Sequence, residues 1–331
     1  ITHLLCLLQG AEIVFLGKPP ATTILMRAFK EVRPHVILTV PLLIEKIYKA
    51  AVLPTLRDNP KIAKLYKNPL TKWIVLKTVK TKLISTMGGC IRFFGIGGAP
   101  LDETVWDFLY SCHFPYALGY GLTETSPLIA GCGPKHKMHK KGYIGKPVKH
   151  DHVILLNKNE DGVGEIAVKG PNVMTGYYNN EELNKEVFTE DGYFKTGDLG
   201  YLDKHGYLSI RGRVKTMILG PAGENIYPES IESLINNMEF VQESLVVPGD
   251  GGLVALIKID LEAMQEKLKI SATDVKDEAE KYLVKLKKSV NEQLSTFSKI
   301  ADTELQEKDF ERTPTQKIKR FLYSRKKKEE K

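Results

Sequence analysis

The sequence predicts a mixed α/β protein made of a partial parallel α/β subdomain, a small β-barrel-like subdomain and a compact α+β C-terminal domain. The first 130 residues alternate short apolar runs with helix-spaced runs, which is typical of a mostly parallel sheet covered by helices. After about residue 140, segments such as GEIAVKG and GYLSIRG alternate apolar and polar residues between turns. The last third combines a hairpin pattern with one long amphipathic pattern.

The change of pattern along the chain sets the predicted domain boundaries. Residues 1–140 are predicted to be the C-terminal part of a large α/β domain, residues 141–213 its β subdomain, and residues 214–331 the C-terminal domain. The opening ITHLLCLLQG is apolar and has no basic leader, so it resembles the middle of a buried element rather than a signal peptide. We therefore expect an N-terminal portion of the large domain to precede residue 1.

Individual elements follow from the same patterns. In the first part we predict strands at 13–16, 36–40, 91–96 and 116–119, with helices at 22–32, 41–49 and 101–112. In the second part we predict strands at 153–156, 164–169, 200–202 and 206–211. In the third part we predict a helix over 227–238, a hairpin of 243–247 with 253–260, and a long helix after a capping box of Ser271 and Asp274.

Composition narrows the classes of partner. The formal net charge is +8, which favours anionic partners such as nucleotide and CoA phosphates or lipid head groups. No RNA-binding or zinc-finger spacing accompanies the charge, so nucleic acid is not predicted as a partner. The histidines His136 and His139 are too few ligands for a zinc site and lie among lysines. The four cysteines show no C-x-x-C spacing and fit reduced thiols of a cytoplasmic protein.

Two features bear on membranes. No apolar run approaches the ~18 residues of a membrane span. Residues 311–331 contain nine Lys or Arg against three Glu. Their ordinary interpretation is a solvated terminus. The alternative is peripheral contact with the inner face of a membrane, because each basic residue gains about 1 kcal/mol near anionic lipid.

The motif from Tyr120 to Glu124 is the first candidate site. It places an aromatic ring, a glycine, a hydroxyl and a carboxylate directly after a predicted strand, where ligands bind in parallel α/β sheets. A hydroxyl beside a carboxylate suits phosphate and Mg²⁺. Taken alone, the motif fits a solvent-exposed turn equally well.

Further motifs occur in a fixed order and give the pattern its specificity. They are Gly97-Gly98-Ala99-Pro100, GYGLTET, GEIAVKGPNVMTGYY, Thr196-Gly197-Asp198, Arg211-Gly212-Arg213-Val214-Lys215, GENIYPESIE and Arg312-Thr313-Pro314-Thr315-Gln316-Lys317. Together they resemble the adenylate-forming superfamily of acyl-CoA synthetases, peptide-synthetase adenylation domains and luciferases, and within it the long-chain fatty acid–CoA ligases. The resemblance runs from about residue 10 to about residue 322.

The resemblance implies roles for residues of the first part. Gly97, Gly98, Ala99 and Pro100 match the loop that lets backbone approach the adenine, which only small residues permit. Tyr120, followed by Gly121, matches the aromatic residue that stacks on the adenine. Thr123 matches the hydroxyl near the α-phosphate. Glu124 matches the Mg²⁺ ligand.

The resemblance also implies roles towards the end of the chain. Asp198 matches the carboxylate that accepts both ribose hydroxyls, and Arg213 the second ribose or phosphate contact. Lys215 falls at the hinge about which the C-terminal domain of the family rotates, and Gly223 would line the pantetheine tunnel. Lys317 matches the catalytic lysine that neutralises charge at the α-phosphate. Thr315-Gln316 stand before it where the family usually has Gly or Ser-Gly.

These roles imply a two-step reaction with ATP, Mg²⁺ and coenzyme A. A long-chain fatty carboxylate would attack the α-phosphate of ATP, and CoA would then take the acyl group and release AMP. A fatty acyl-AMP ligase, an aryl-CoA ligase and a non-catalytic nucleotide-binding homologue remain alternatives. The Ser/Thr/Gly-rich triphosphate loop expected upstream of Gly97 is not found in the sequence. We therefore expect this chain not to catalyse adenylation by itself.

Overall fold

The chain forms two compact units. A computed structural model describes residues 6–15, 22–220, 223–271, 273–313 and 318–323. The first unit comprises residues 1–196 with 200–210, and the second comprises residues 197–199 with 211–331. Each unit is described by itself. The three-part division at residues 140 and 213 stays a prediction.

The helices of the first unit begin at recognisable caps. Asn59 accepts hydrogen bonds from two backbone amides of the helix after it, and Asn68 accepts one from Leu70 at 3.0 Å. In both places a proline follows the asparagine at the first helical position, where a missing N–H costs nothing. A π-helical turn, Tyr48–Val52, joins α2 to α3. The helices are Thr22–Val32 (α1), Pro41–Ile47 (α2), Leu53–Arg57 (α3), Pro60–Lys67 (α4), Pro69–Thr86 (α5), Glu103–Ser111 (α6) and Glu181–Val187 (α7).

A five-stranded sheet lies in the first unit, and its strands follow the order of the chain. β1, β2 and β3 pair in parallel, while β4 and β5 add to the β3 edge in antiparallel fashion. The mixed α/β class is thus confirmed, and the two antiparallel strands were not predicted. The strands are Val36–Thr39 (β1), Phe93–Gly97 (β2), Tyr116–Tyr120 (β3), Ala130–Cys132 (β4) and Lys146–Pro147 (β5).

The predicted strand at 13–16 is wrong over its described part. Residues 13–15 are not part of a strand in the structure. Val14 and Phe15 are exposed to solvent, so an apolar run at this place does not enter a sheet. The core of this unit lies instead between the sheet and its helices, around Phe94, Leu109 and Tyr116.

A second sheet has four strands in the order β6-β7-β8-β9. The described strands do not close into a barrel, in contrast to the barrel-like arrangement that we expected. β6 and β7 form an antiparallel pair with Ile154 opposite Ala167. Ile166, Val168 and Phe194 are buried in its core. The strands are His152–Leu156 (β6), Gly164–Lys169 (β7), Phe194–Leu202 (β8) and Leu208–Arg213 (β9).

The second unit is an α+β fold. β12 and β13 form the predicted antiparallel hairpin, and β14, which was not predicted, joins β13 in parallel. Ser271 hydrogen-bonds Asp274, but the long helix begins only at Val275, so the predicted capping box is not its cap. The elements are Ile218–Leu219 (β10), Asn225–Ile226 (β11), Pro228–Asn236 (α8), Val241–Gly249 (β12), Gly252–Ile259 (β13), Leu261–Leu268 (α9), Val275–Asn291 (α10) and Ile300–Leu305 (β14).

One face of α10 packs into the core of the second unit. Ala279, Leu283, Leu286 and Val290 are buried there, at helical spacing. Among the residues that the structure describes, no helix has the length and apolar character needed to cross a bilayer.

Candidate functional site

The turn after β3 is fixed by close backbone packing. A Cβ atom on Gly121 would lie 1.8 Å from the carbonyl oxygen of Pro127, so only glycine fits there. The hydroxyl of Thr125 accepts a hydrogen bond from the backbone N–H of Leu122 and donates one to its carbonyl, both at 3.0 Å. These contacts hold the short 3₁₀ turn Thr123–Thr125, which carries two of the predicted site residues.

Glu124 is oriented by a segment about fifty residues further along the chain. The hydroxyl of Tyr177 donates a hydrogen bond to Glu124 Oε1 at 2.9 Å. The backbone N–H of Met174 donates to the Glu124 carbonyl at 2.8 Å. Burial and the neighbouring carboxylate raise the pKa of Tyr177, so the phenol remains a donor at neutral pH. The carboxylate therefore has one oxygen fixed by protein.

Asn172 connects the same turn to the start of β6. Its amide nitrogen lies 2.9 Å from the Thr125 carbonyl oxygen, 2.8 Å from that of Leu128 and 3.0 Å from Asp151 Oδ2. Burial is the main cause that raises the pKa of Asp151. Neither Asn172 nor Tyr177 was assigned a role from sequence, although both lie in the motif GEIAVKGPNVMTGYY. The positions of Asn172 and Tyr177 within the motif do not indicate which residues they contact.

The glycine loop after β2 lies beside this turn. Gly97 and Gly119 are register partners at the carboxyl ends of two adjacent parallel strands. A Cβ atom on Gly97 would be 3.1 Å from the Gly119 carbonyl oxygen, and Gly98 has a φ of +87°. Ala99 and Pro100 follow on the surface. The structure thus brings the predicted adenine loop next to Tyr120, which ends β3.

Asp198 and Arg213 contact each other in the second unit. Arg213 Nε lies 3.0 Å from Asp198 Oδ1, with the carboxylate side chain only 8% exposed and the guanidinium 48% exposed. The backbone N–H of Val214 donates to the Gly197 carbonyl at 2.9 Å. The predicted ribose-binding carboxylate is therefore buried beside the predicted second contact.

Two of the remaining predicted residues, Lys215 and Gly223, lie in turns of the second unit. Lys215 is exposed in the turn after β9. Gly223 has a φ of +90° and donates its N–H to the Gly220 carbonyl at 3.0 Å. Lys317 lies outside the described residues. On either side of it, Arg312 and Ile318 form an antiparallel bridge.

Arg320, three residues after Lys317, forms a partly buried ion pair with Glu232. Arg320 Nη1 lies 2.7 Å from Glu232 Oε1, and Nη2 lies 2.8 Å from Oε2. The backbone N–H of Val246 donates to Glu232 Oε1 at 2.7 Å. Burial raises the pKa of Glu232, and the guanidinium opposes that rise. Sequence analysis missed this pair because its members are 88 residues apart.

Comparison with known proteins identifies the family. Residues 1–178 match the family described as AMP-binding enzymes. The chain belongs to the AMP-binding enzyme family. The site residues of the first unit that precede residue 178 all lie within the matched part of this AMP-binding enzyme.

Curated relatives of the AMP-binding chain have two kinds of name. The 2-succinylbenzoate–CoA ligase of Oceanobacillus iheyensis is 35% identical over 58% of this chain and 40% of its own length. The peroxisomal long chain acyl-CoA synthetase 7 of Arabidopsis thaliana is 32% identical over 73% of this chain and 38% of its own. The long-chain-fatty-acid–CoA ligase FadD15 of Mycobacterium bovis is 32% identical over 70% of this chain and 41% of its own.

Solved structures share the fold. ATP-bound MatB from Rhodopseudomonas palustris superposes with a TM-score of 0.68 at 24% identity, over 97% of this chain and 56% of that one. The o-succinylbenzoate CoA synthetase of Bacillus subtilis with ATP and magnesium gives 0.68 at 24% identity, over 97% and 57%. The AMP-binding chain thus spans about two fifths of these curated relatives and somewhat over half of these solved chains.

Proposed function

We propose that the protein containing this chain is an ATP-dependent ligase that converts a carboxylic acid to an acyl-adenylate and then to an acyl-CoA, releasing pyrophosphate and AMP. The arrangement at the carboxyl ends of β2 and β3 carries the proposal. There the glycine loop at Gly97 adjoins Tyr120, and the next turn presents a carboxylate that Tyr177 holds. A carboxylate is a poor electrophile, and joining it to AMP supplies a good leaving group.

Glu124 is the proposed ligand of Mg²⁺, and its surroundings fit that ion. Oε1 accepts from Tyr177, and no cationic side chain lies within 4 Å of the carboxylate in the part of the chain that the structure describes. No cluster of three His, Cys, Asp or Glu that could hold a metal occurs among those residues either. A single carboxylate with substrate phosphates is the usual Mg²⁺ environment. Bound there, the ion would neutralise phosphate charge.

The other proposed roles divide between the two units. In the first unit, Gly97–Pro100 and Tyr120 with Gly121 would receive the adenine, and Thr123 would donate to the α-phosphate. In the second unit, Asp198 would accept both ribose hydroxyls, because one carboxylate can take two hydrogen bonds from a vicinal diol. Its burial beside Arg213 supports this role, since the guanidinium lies 3.0 Å from one carboxylate oxygen and orients the group.

Of the three remaining roles, two concern the second step and one concerns adenylation. Lys215 is proposed as the hinge, and its exposure in a turn after β9 supports that choice. Gly223 would line the path of the pantetheine arm, because a glycine leaves space where a side chain would intrude. Lys317 is proposed as the lysine that stabilises charge in the adenylation step.

A long-chain fatty acid is the proposed acyl substrate. Three relatives named for long-chain acids match 73%, 70% and 55% of the chain, and the 2-succinylbenzoate ligases match 51–58%. The two longer matches support the fatty acid, because they extend into the second unit. An aryl acid is the second candidate, since the 2-succinylbenzoate ligases reach 36% identity.

A substrate panel tests the proposal. Palmitate, acetate, benzoate and 2-succinylbenzoate are each supplied with ATP, with and without CoA, and AMP release and acyl-CoA are measured. We expect palmitate to give acyl-CoA. Preference for 2-succinylbenzoate would replace the proposed substrate, and acyl-AMP without acyl-CoA would indicate an acyl-AMP ligase. No turnover of any acid by the full-length protein would overturn the enzymatic proposal.

The catalytic lysine has its own test. Lys317→Ala is expected to slow adenylation by about 100-fold or more, while CoA transfer from supplied palmitoyl-AMP continues. Lys319→Ala is the matched control two residues away, because that lysine contacts Glu311 at the surface. Equal loss of both half-reactions in Lys317→Ala would refute the role.

A further inference from the structure

The hairpin formed by α4 and α5 presents an apolar face to solvent. Leu70, Trp73 and Ile74 stand at i, i+3 and i+4 on α5 and are 81%, 61% and 48% exposed, which places them on one side of the helix. Leu65 of α4 is also exposed. Its carbonyl accepts a hydrogen bond from Thr71 Oγ1 at 2.7 Å, so it lies beside the first turn of α5.

This face is additional to the one that folds the helix. α5 already buries Val75, Leu76, Val79 and Leu83 against the core of the first unit. Exposed apolar side chains that cluster on one face, unlike scattered ones, indicate an interaction surface.

The charged residues of the hairpin itself are all basic. Residues 59–101 contain seven Lys and one Arg and no Asp or Glu. Lys72 lies 5.2 Å from the Tyr66 ring centre, beside Glu103 and Asp107, and Lys80 Nζ lies 3.4 Å from the His113 carbonyl. No carboxylate within the described ranges lies within ion-pair distance of the other five lysines, Lys61, Lys64, Lys67, Lys77 and Lys82.

We propose that this hairpin surface, formed by Leu65, Leu70, Trp73 and Ile74 with those five lysines, docks the protein on an anionic lipid bilayer. Tryptophan and leucine side chains insert at the boundary between head groups and acyl chains. Lysines at the rim extend their ammonium groups to lipid phosphates. A nucleic acid would use the lysines but leave Leu70 and Ile74 without a partner. The proposal does not depend on the reaction proposed above.

Trp73 reports directly on insertion. The chain has two tryptophans, and the other one, Trp106, is partly buried and donates to the Tyr116 hydroxyl at 3.1 Å. In a Trp106→Phe background, vesicles of phosphatidylcholine with phosphatidylglycerol are expected to shift Trp73 emission to the blue, and brominated lipid is expected to quench it. Vesicles of phosphatidylcholine alone, or high salt, should largely abolish both changes. Absence of quenching by the anionic vesicles would overturn the proposal.

Matched variants distinguish binding through this surface from an effect of the net charge of the whole protein. Lys64→Glu with Lys67→Glu is expected to lower the vesicle partition coefficient at least about 25-fold, since each lysine contributes about fivefold, or about 1 kcal/mol. Lys285→Glu with Lys288→Glu on α10 makes the same change of net charge and should have a much smaller effect. Equal losses in the two pairs would refute a localised surface.

The apolar part is tested in the same way. Leu70→Ser with Trp73→Ser is expected to lower the vesicle partition coefficient at least about tenfold. The variant removes two apolar side chains, and even one that is partly inserted contributes about that factor. Val284→Ser on α10, where the side chain is 65% exposed, is the control and should leave partitioning unchanged. Binding to an RNA oligomer but not to anionic vesicles would replace lipid by nucleic acid as the partner.

Discussion

The turns that carry predicted site residues are built in two different ways. The turn after β3 has no space at Gly121, a hydroxyl cap at Thr125 and a carboxylate held by Tyr177. The described parts of the turns after β9 and β10 are less crowded: Lys215 is exposed, and a Cβ atom on Gly223 would have no heavy atom of the described residues within 4 Å. The first arrangement suits a group that must be held in place for chemistry. The second suits residues that change backbone conformation.

The largest effect is expected from filling the tight turn. Gly121→Ala places a Cβ atom 1.8 Å from the Pro127 carbonyl oxygen, so backbone must move. We expect a loss of about 3 kcal/mol or more in the free energy of unfolding, measured by urea denaturation. A loss below about 1 kcal/mol would mean that this turn is not rigid.

The contact that holds Glu124 gives the next effect. Tyr177→Phe removes one hydrogen bond to a carboxylate and keeps the ring, which should cost about 1.5 kcal/mol of stability. It should also raise the Mg²⁺ concentration needed for half-maximal AMP formation. Tyr178→Phe is the matched control, because Tyr178 is 92% exposed. An unchanged Mg²⁺ requirement in Tyr177→Phe would show that the hydrogen bond does not position the carboxylate.

The turn at Gly223 should tolerate an added methyl group better than the turn at Gly121. In Gly223→Ala the added Cβ atom would meet no atom of the described residues, but the backbone would keep a φ of +90°. We therefore expect the free energy of unfolding to fall by only about 1 kcal/mol, from backbone strain. The same urea titration that is used for Gly121→Ala gives this value. A loss as large as that of Gly121→Ala would erase the contrast between the two turns.

The smallest expected effect is a change in how stability depends on pH, through His139. His139 is buried against Tyr116 of β3, and its Nδ1 lies 3.3 Å from Cys132 Sγ of β4. Burial lowers the pKa of His139 below its ordinary 6.5. The unfolded chain therefore binds the proton more readily, so stability falls as pH drops below about 6.5.

His139→Leu removes this group and should flatten the fall. The free energy of unfolding at pH 7 and pH 5 measures it. The flattening should be partial, because burial also lowers the pKa of His113. An unchanged pH dependence would contradict the assignment.

The parts of the site that could be predicted from the sequence are those formed by consecutive elements of the chain. Gly97 and Tyr120 end consecutive parallel strands, so their proximity follows from sheet topology. Tyr177 and Asn172 could not be predicted in this way, because no periodicity links them to a turn about fifty residues away.

The strand β14 could not be predicted for the same reason, because it pairs in parallel with β13 although two helices separate them in the sequence. The helices α4 and α5 are a different case. The pairs Asn59-Pro60 and Asn68-Pro69 are start signals that were present in the sequence and were not used.

The helix α8 has a consequence for how motion would pass through the second unit. Glu229, in its first turn, accepts a hydrogen bond at 2.7 Å from Thr216, the residue after Lys215. Glu232, one turn further on, holds Arg320 by two hydrogen bonds. This nine-residue helix therefore bonds both the segment next to Lys215 and the segment beyond Lys317. If the backbone rotates at Lys215, as proposed above, the helix would have to move with it or lose the bond to Thr216.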